Sequence, residues 1–169
     1  MQSNKITTLV KRARERDAEA FTEVIQLLTA DMYKVAYSIL LNDEDAADAI
    51  QDTILTCWEK IHTLRKAAFF KTWLTRILIN HCYDIRKNNQ KVTYLEEYEE
   101  PVAEDDRNSE FKEMLSVLDE KYRIVMVLFY EEGYKTGEIA KFLQLSPSTV
   151  QTRLQRGREK LADYYGDEV

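Results

Sequence analysis

Glycine and proline are scarce, at four and two residues in a chain of 169. Sheet turns and long loops draw on both, so a chain with so few, and rich in Ala, Leu, Glu, Lys and Gln, favours helix. No apolar run approaches the roughly 20 residues needed to cross a bilayer. The amino terminus, MQSNKITTLVKRARERDAEAF, has cations without the apolar stretch that a secretory signal places after them. Cysteine is limited to Cys57 and Cys82, both inside helical patterns as small apolar residues. A cytosolic chain with free, buried thiols is therefore expected. Taken with His62 and His81, their spacing matches no zinc pattern, so no metal is expected. There is no phosphate-cradling glycine loop and no catalytic constellation. The chain is expected not to be an enzyme, and to take no cofactor and no small-molecule substrate.

What is abundant is charge, and it is unevenly placed. The formal net charge is -6. Residues 1–92 carry 14 Lys and Arg against 12 Asp and Glu, and residues 111–169 carry nine against ten. Residues 93–110, TYLEEYEEPVAEDDRNSE, hold eight acids and one Arg, so this one segment accounts for the acidity of the whole chain. From Pro101 onward it has almost no apolar residues to repay ordering, which predicts a linker between two helical domains.

Before the linker, four helical stretches can be read. A short amphipathic piece holds Leu9, Val10 and Ala13. From Asp17 to Leu41, Phe21, Val24, Ile25, Leu28, Met32, Val35, Ile39 and Leu40 recur at helical spacing. The sequence NDEDAAD then supplies a turn and an acidic helix start, which suits the helix dipole. In the next helix, Ala46, Ile50, Ile54, Cys57 and Ile61 form the expected core stripe. Asp48, Gln51, Asp52, Leu55 and Glu59 form a second stripe, acidic with one apolar residue in it. A solvated face and a docking surface both fit that stripe. The fourth stretch, FFKTWLTRILINHCYDIRKNNQK, buries Phe70, Trp73, Leu74, Ile77, Leu78, Cys82 and Ile85. Its other side carries Thr72, Arg76, Asn80, Tyr83 and Lys87, with Arg86 and Lys91 nearby. Cations, an amide and an aromatic on one face suit phosphates, a base edge and a base plane respectively.

After the linker the pattern is more specific. Tyr122, Val125, Met126, Leu128 and Phe129 make an apolar side that Gly133 terminates. A short helix from about Thr136 buries Ile139, Ala140 and Leu143. Ser146 is a natural N-cap, and Pro147 at the first helical position loses nothing by lacking an N–H. Val150, Leu154, Gly157 and Leu161 then face inward, leaving Ser148, Gln151, Thr152, Gln155 and Arg156 outward. A short helix, a tight turn and a second helix with amides and Arg on its free face make a helix-turn-helix, whose second helix enters a major groove. There Arg pairs with guanine and Gln with adenine. The expected fold class is all-α: two small helical domains, residues 1–92 and 111–169, joined by an acidic linker, the C-terminal domain a helix-turn-helix.

Three motifs carry a resemblance to one family. DEDAADAIQDTILTCWEKI is similar to the D-A-x-D-x-x-Q-[DE] core-binding helix of bacterial RNA polymerase sigma factors of the extracytoplasmic-function (ECF, group four) type. FFKTWLTRILIN is similar to that family's promoter-melting helix, F-x-T-W-L-x-R-I. GYKTGEIAKFLQLSPSTVQTRLQRGREKL resembles its terminal helix-turn-helix. The likeness runs from Asp17 to Leu161. It implies that the first domain holds the clamp helices of the polymerase largest subunit through Asp48, Gln51 and Asp52, with Leu55 on the same face. It further implies that the loop from Arg65 to Phe70 and the following helix open the minus-ten element. Asn80 falls where the family places a base reader, Arg76 and Lys87 where it touches the strand backbone, with Tyr83 beside them. The second domain would read the minus-thirty-five element with Ser148, Gln151, Thr152, Gln155 and Arg156, and would meet the polymerase flap. Promoter DNA and core RNA polymerase are the implied partners. A membrane-anchored anti-sigma factor, a cytoplasmic location and a stress or envelope-response regulon are implied as well.

The chain departs from the family pattern at several points. Gln144 stands where the turn usually has Gly, which puts a non-Gly residue at positive φ. Gly157 stands where Ala is usual, at roughly 1 kcal/mol of helix stability. Gln151 and Gln155 replace more basic or aromatic residues, so the preferred upstream sequence does not carry over. The loop TLRKAAFFKTW lacks the usual Gly-Asp, and with it the identity of the captured base. Two rival readings start from the same residues. A conventional two-domain regulator would need a ligand pocket or phosphoacceptor in the first domain, and neither is visible. An adaptor using only the Asp48, Gln51 and Asp52 face would not need the Ser146-Pro147 cap or the basic last helix.

The resemblance threads the acidic linker through the channel that later carries nascent RNA, where a polyanion would occupy cationic walls. Replacing Glu96, Glu97, Glu99, Glu100, Glu104, Asp105 and Asp106 by Gln or Asn should weaken binding to core polymerase and flatten its salt dependence. It should also raise non-specific DNA binding by the free chain. Core affinity at two salt concentrations checks this; unchanged affinity and slope would leave a solubilising tether.

Overall fold

The computed structural model describes residues 2–90 and 108–166, and every regular element among them is helical. The chain divides into two compact units, Met1–Arg86 and Lys87–Val169. The expected linker lies outside the described residues as far as residue 107, and its last two residues, Ser109 and Glu110, already belong to a helix. Lys91 also lies outside the described residues.

In the first unit α1 (Gln2–Arg14) packs on α2 (Ala18–Leu40), and α2 packs on α3 (Asp43–Lys60). The joints are built from local chemistry. Asp17 caps α2, its Oδ1 accepting from the Ala20 N–H at 3.1 Å while Oδ2 accepts from Arg12 at 2.8 Å. The Ala20 N–H first, and then Arg12, hold its carboxyl below the ordinary Asp range. Leu41 ends α2 at φ 52, its N–H donating to the Tyr37 carbonyl. Asn42 then caps α3 by accepting from the Asp45 N–H at 2.9 Å, and Asp43, Glu44 and Asp45 fill the first turn, as the acidic helix start predicts.

The buried stripe of α3 differs from the expected one. Ala46 and Cys57 are inside, but Ile50 and Ile54 are only half-buried, and Ala49 and Thr53 take their place. The reason is close helix approach: this stripe carries small residues, and Thr53 is satisfied within its own helix by donating to the Ala49 carbonyl at 2.7 Å. Beyond α3, two 3-10 turns (Ile61–Thr63 and Ala67–Phe69) lead into α4 (Phe70–Gln90). Buried residues recur every three positions through these turns, at Ile61, Leu64, Ala67 and Phe70. They then recur every four along α4, at Leu74, Leu78 and Cys82. Thr75 and Ile79 are also buried, while Trp73, Ile77 and Ile85 are half-buried.

The second unit contains α5 (Ser109–Val117), α6 (Glu120–Met126) continuing into a π-helical turn (Val127–Glu131), α7 (Thr136–Leu143) and α8 (Pro147–Tyr165). Gly133 follows the π turn at φ 74, where a side chain would be strained. Helix α8 packs against α5, α6 and α7. Gln144 adopts φ 56, the left-handed conformation its place predicts, and donates its N–H to the Ala140 carbonyl. Ser146 caps α8, accepting from the Thr149 N–H at 3.2 Å, with Pro147 in the first turn.

The structure gives Gly157 a reason. A Cβ there would lie 2.8 Å from the sulfur of Met126 and 3.0 Å from its Cγ. The missing methyl lets α8 lie against α6. Gly157→Ala should therefore cost about 1–3 kcal/mol through overpacking, offset in part by the roughly 1 kcal/mol gain in helix propensity, for a net loss of up to about 2 kcal/mol. In a Met126→Ala background the same substitution should become neutral or stabilising. A double-mutant cycle by urea denaturation measures this coupling; additive effects would mean that Met126 simply swings aside.

Candidate functional site

On α3 the acidic stripe faces solvent as expected: Asp48, Gln51, Asp52, Leu55 and Glu59 are all exposed, and Leu55 is 58% accessible. The periodicity of α3 alone does not reveal that Leu55 sits on the edge of a groove shared with α2. This groove, about 430 Å³, is lined by Phe21 and Ile25 of α2 and by Ile54, Leu55 and Trp58 of α3. Its presence explains why Ile54 is only half-buried. Glu19 and Glu23 of α2 are exposed on the same helix that forms one wall.

Trp58 is held from two sides. Its ring centroid lies 4.9 Å from that of Phe21. The Arg16 guanidinium stacks 3.8 Å over it, and Arg16 Nη1 donates to the Trp58 carbonyl at 2.7 Å. Arg16 does this from φ 70, a left-handed conformation that a non-glycine residue adopts at some cost. Nothing in the local sequence marks Arg16 for this role, because its partner is 42 positions away.

Along α4, Arg76, Asn80, Tyr83 and Lys87 are exposed at helical spacing, while Thr72 and Arg86 are half-buried. The Arg86 guanidinium stands 5.7 Å from the Tyr83 ring centroid. The turn before α4 corrects one expectation. Phe70, expected as a minus-ten contact, is fully buried in the core, whereas its neighbour Phe69 is 57% exposed. The three-residue spacing of the 3-10 turns rotates Phe70 inward and Phe69 outward. Arg65 and Lys66 are exposed beside it, with the Lys66 ammonium 5.7 Å from the Phe69 ring centroid.

On α8, Ser148, Gln151, Thr152, Gln155 and Arg156 are all exposed. The Ser146 hydroxyl oxygen also meets those of Thr149 at 2.8 Å and Ser148 at 3.1 Å. Gln155 Nε2 donates to Glu159 at 3.4 Å. A cleft of about 300 Å³ lies alongside, lined by Lys121 and Tyr122 of α6 and by Ser148, Thr149, Thr152, Arg153 and Arg156 of α8. The sequence pattern of α8 could not supply Lys121, which belongs to another helix. The two cysteines are buried, and burial pushes both thiols up to about 12.

These features define a class: an all-helical, two-unit protein whose C-terminal unit is a helix-turn-helix with an amide- and cation-bearing second helix. Family models agree and narrow it. Sigma-70 region 2 matches residues 24–92, and Sigma-70 region 4 matches residues 109–161. The chain is 26% identical over 172 aligned positions to the ECF RNA polymerase sigma factor SigW of Bacillus subtilis, covering 90% of this chain and 92% of that protein. It is 29% identical over 157 positions to the ECF sigma factor SigM of Mycobacterium tuberculosis, covering 89% and 79% respectively. The fold is shared with CnrH, solved in complex with the cytosolic domain of CnrY, at a TM-score of 0.71 and 23% identity over 98% of this chain and 99% of that one. It is also shared with RpoE from Bartonella quintana, solved with the anti-sigma factor NepR, at a TM-score of 0.68 and 23% identity over 85% and 94%. The chain belongs to the ECF sigma factors of the sigma-70 family.

Arg16 should act as the clamp on Trp58. In a Trp73→Phe background, where Trp58 is the only remaining tryptophan, Arg16→Ala should red-shift the emission and increase its quenching by acrylamide. Arg16→Lys should restore it only in part, because an ammonium lacks the planar stack and fork. An unchanged spectrum in Arg16→Ala would show that Phe21 and the α2–α3 packing hold the ring unaided.

Proposed function

We propose that this sigma factor divides promoter-directed initiation among three exposed faces. The acidic α3 face, with Asp48, Gln51, Asp52 and Leu55, docks on the clamp helices of core RNA polymerase. The turn carrying Arg65 and Phe69, together with Arg76, Asn80, Tyr83 and Lys87 on α4, opens and holds the minus-ten strand. The free face of α8 reads the minus-thirty-five element, and the same unit meets the polymerase flap. The observation that carries this reading is the chemical difference between faces on one chain. Acids surround an exposed leucine on α3, while amides, aromatics and cations face out on α4 and α8.

The electrostatics favour a division of labour with polymerase. DNA affinity is dominated by phosphate neutralisation, and a chain of net charge -6 is poorly equipped to supply it alone. Polymerase brings cationic surface and the chemistry of bond formation; the sigma factor chooses the site. Extruding a base costs a few kcal/mol. An exposed aromatic such as Phe69, flanked by Lys66 and Arg65, is suited to return that by stacking and by attraction for the strand.

Anti-sigma control of this chain is part of the proposal, supported by the partner-bound states in which RpoE and CnrH were solved. A membrane anchor on that partner, a cytoplasmic location and a stress or envelope regulon extend the same reading. No helix among the described residues is long and apolar enough to cross a membrane. Run-off transcription from genomic fragments with core polymerase, with and without this chain, tests the function directly. Transcripts that start at discrete sites only when it is present are expected.

Asn80 separates melting from binding. Asn80→Ala should leave core affinity and upstream recognition intact but reduce permanganate reactivity around the start site. A pre-melted template should retain a smaller defect in strand capture. Normal opening on duplex DNA, with no difference on the pre-melted template, would make Asn80 an ordinary surface residue.

A further inference from the structure

We infer that the cleft between the starts of α6 and α8 seats one backbone phosphate of the promoter strand, and that Lys121, Arg153 and Arg156 are its cations. This rests on the proposal that α8 enters a DNA groove, and it changes the task given to Arg156, which the sequence pattern alone assigns to a guanine.

The outward surface of α8 carries two adjacent stripes of different chemistry. Ser148, Gln151 and Gln155 lie at helical spacing and present a hydroxyl and two amides. Thr149, Thr152, Arg153 and Arg156 form the neighbouring stripe and line the cleft with Lys121, and Ser148, on the border of the two stripes, lines it as well. Amides carry the paired donor and acceptor that discriminate a base edge, whereas clustered cations and hydroxyls match a phosphate. Arg156 is on the second stripe, beside Arg153 and opposite a lysine from another helix.

The electrostatics of the cleft are one-signed. No carboxylate is among its lining residues. Asp119, two residues before Lys121, is engaged by Lys160 Nζ at 2.6 Å, and that contact holds its carboxyl below the ordinary range. Tyr122 forms the buried floor, with the ammonium groups of Lys121 and Lys160 each 5.2 Å from its ring centroid. The ring thus gives Lys121 a place to rest at the cleft's edge. The first turn of α8 adds the positive end of a 19-residue helix. Thr152 already donates its hydroxyl hydrogen to the Ser148 carbonyl at 3.0 Å. The Ser148 and Thr149 hydroxyls both meet the Ser146 oxygen, so contact to an oxyanion falls chiefly to the cations.

A phosphate held from two helices would fix the depth and register of α8 in the groove, leaving Gln151 and Gln155 to read bases. The test uses holoenzyme, made from core polymerase and the full chain, to select upstream sequences from a randomised duplex pool. The selected duplex is then titrated at several salt concentrations. Lys121→Gln, Arg153→Gln and Arg156→Gln should each weaken binding by a similar factor for every sequence and leave the selected profile unchanged. Each should make the slope of log K against log salt shallower by about one unit. Arg153→Lys, which keeps the charge, should keep the slope, so that a folding defect is separable. Gln151→Ala and Gln155→Ala should instead relax the profile at defined positions and leave the slope alone.

An Arg156 variant that relaxes one position with an unchanged slope would overturn the assignment for that residue. Lys121 and Arg153 variants with wild-type affinity and slope would overturn the seat while the α8 reading stands. A holoenzyme that enriches no upstream sequence would remove that reading and the seat with it. Inorganic phosphate at constant ionic strength should not compete; competition lost in Lys121→Gln would mark a free-anion site instead of a DNA contact.

Discussion

The small side chains of Ala46, Ala49, Thr53 and Cys57 set how α3 lies on its neighbours, and much of the first unit's surface chemistry follows from that contact. A helix has one rotational setting about its own axis, and burial of one stripe fixes it. With this stripe inside, Ile54 is left half out to line the groove with α2, and Leu55 and the acids are carried fully outward. The larger isoleucines, had they been the buried stripe, would have turned the acids toward a different side. In the second unit the absent Cβ of Gly157 has the same effect, since the approach of α8 to α6 fixes which residues face out. The surfaces proposed for recognition are thus set from behind, by what their helices bury.

Much of this was legible because its causes are local. The acidic start of α3, the Ser146 cap, Pro147 in the first turn of α8 and the left-handed Gln144 are all readable from a few neighbouring residues. So were the exposed faces of α3, α4 and α8, because a period of 3.6 needs only a window of sequence. Phe70 stands on the buried side of α4 by periodicity and in the minus-ten loop by resemblance; its burial bears out the first, and the 3-10 turn before it leaves Phe69 exposed instead. Arg16, Trp58, the α2–α3 groove and the position of Lys121 beside α8 were not legible. Each depends on which distant residues the fold brings together.

Charge is arranged so that sign and location carry separate instructions. Asp17 is bound to Arg12, and Asp119 to Lys160; these pairs tie a cap or join two helices and leave little field for a partner. They are exposed, so they contribute modestly to stability. The acids of α3 and the cations of α8 instead lie on surfaces proposed to meet partners of opposite sign. The acidic segment between residues 93 and 110 gives the free chain its net negative charge, which disfavours indiscriminate DNA binding. Selectivity for promoters would then begin with a requirement for polymerase, before any base is read.

The buried thiols of Cys57 and Cys82, pushed up to about 12, have a consequence for how such a factor is informed of its surroundings. Nucleophilic attack on an oxidant needs the thiolate, and burial disfavours that form at neutral pH. Packing around each sulfur also blocks the approach of peroxide or a second thiol. The folded chain therefore offers oxidants little purchase through its two cysteines. An oxidation signal addressed to this chain would need a reactive group on a partner, since its own two thiols are shielded.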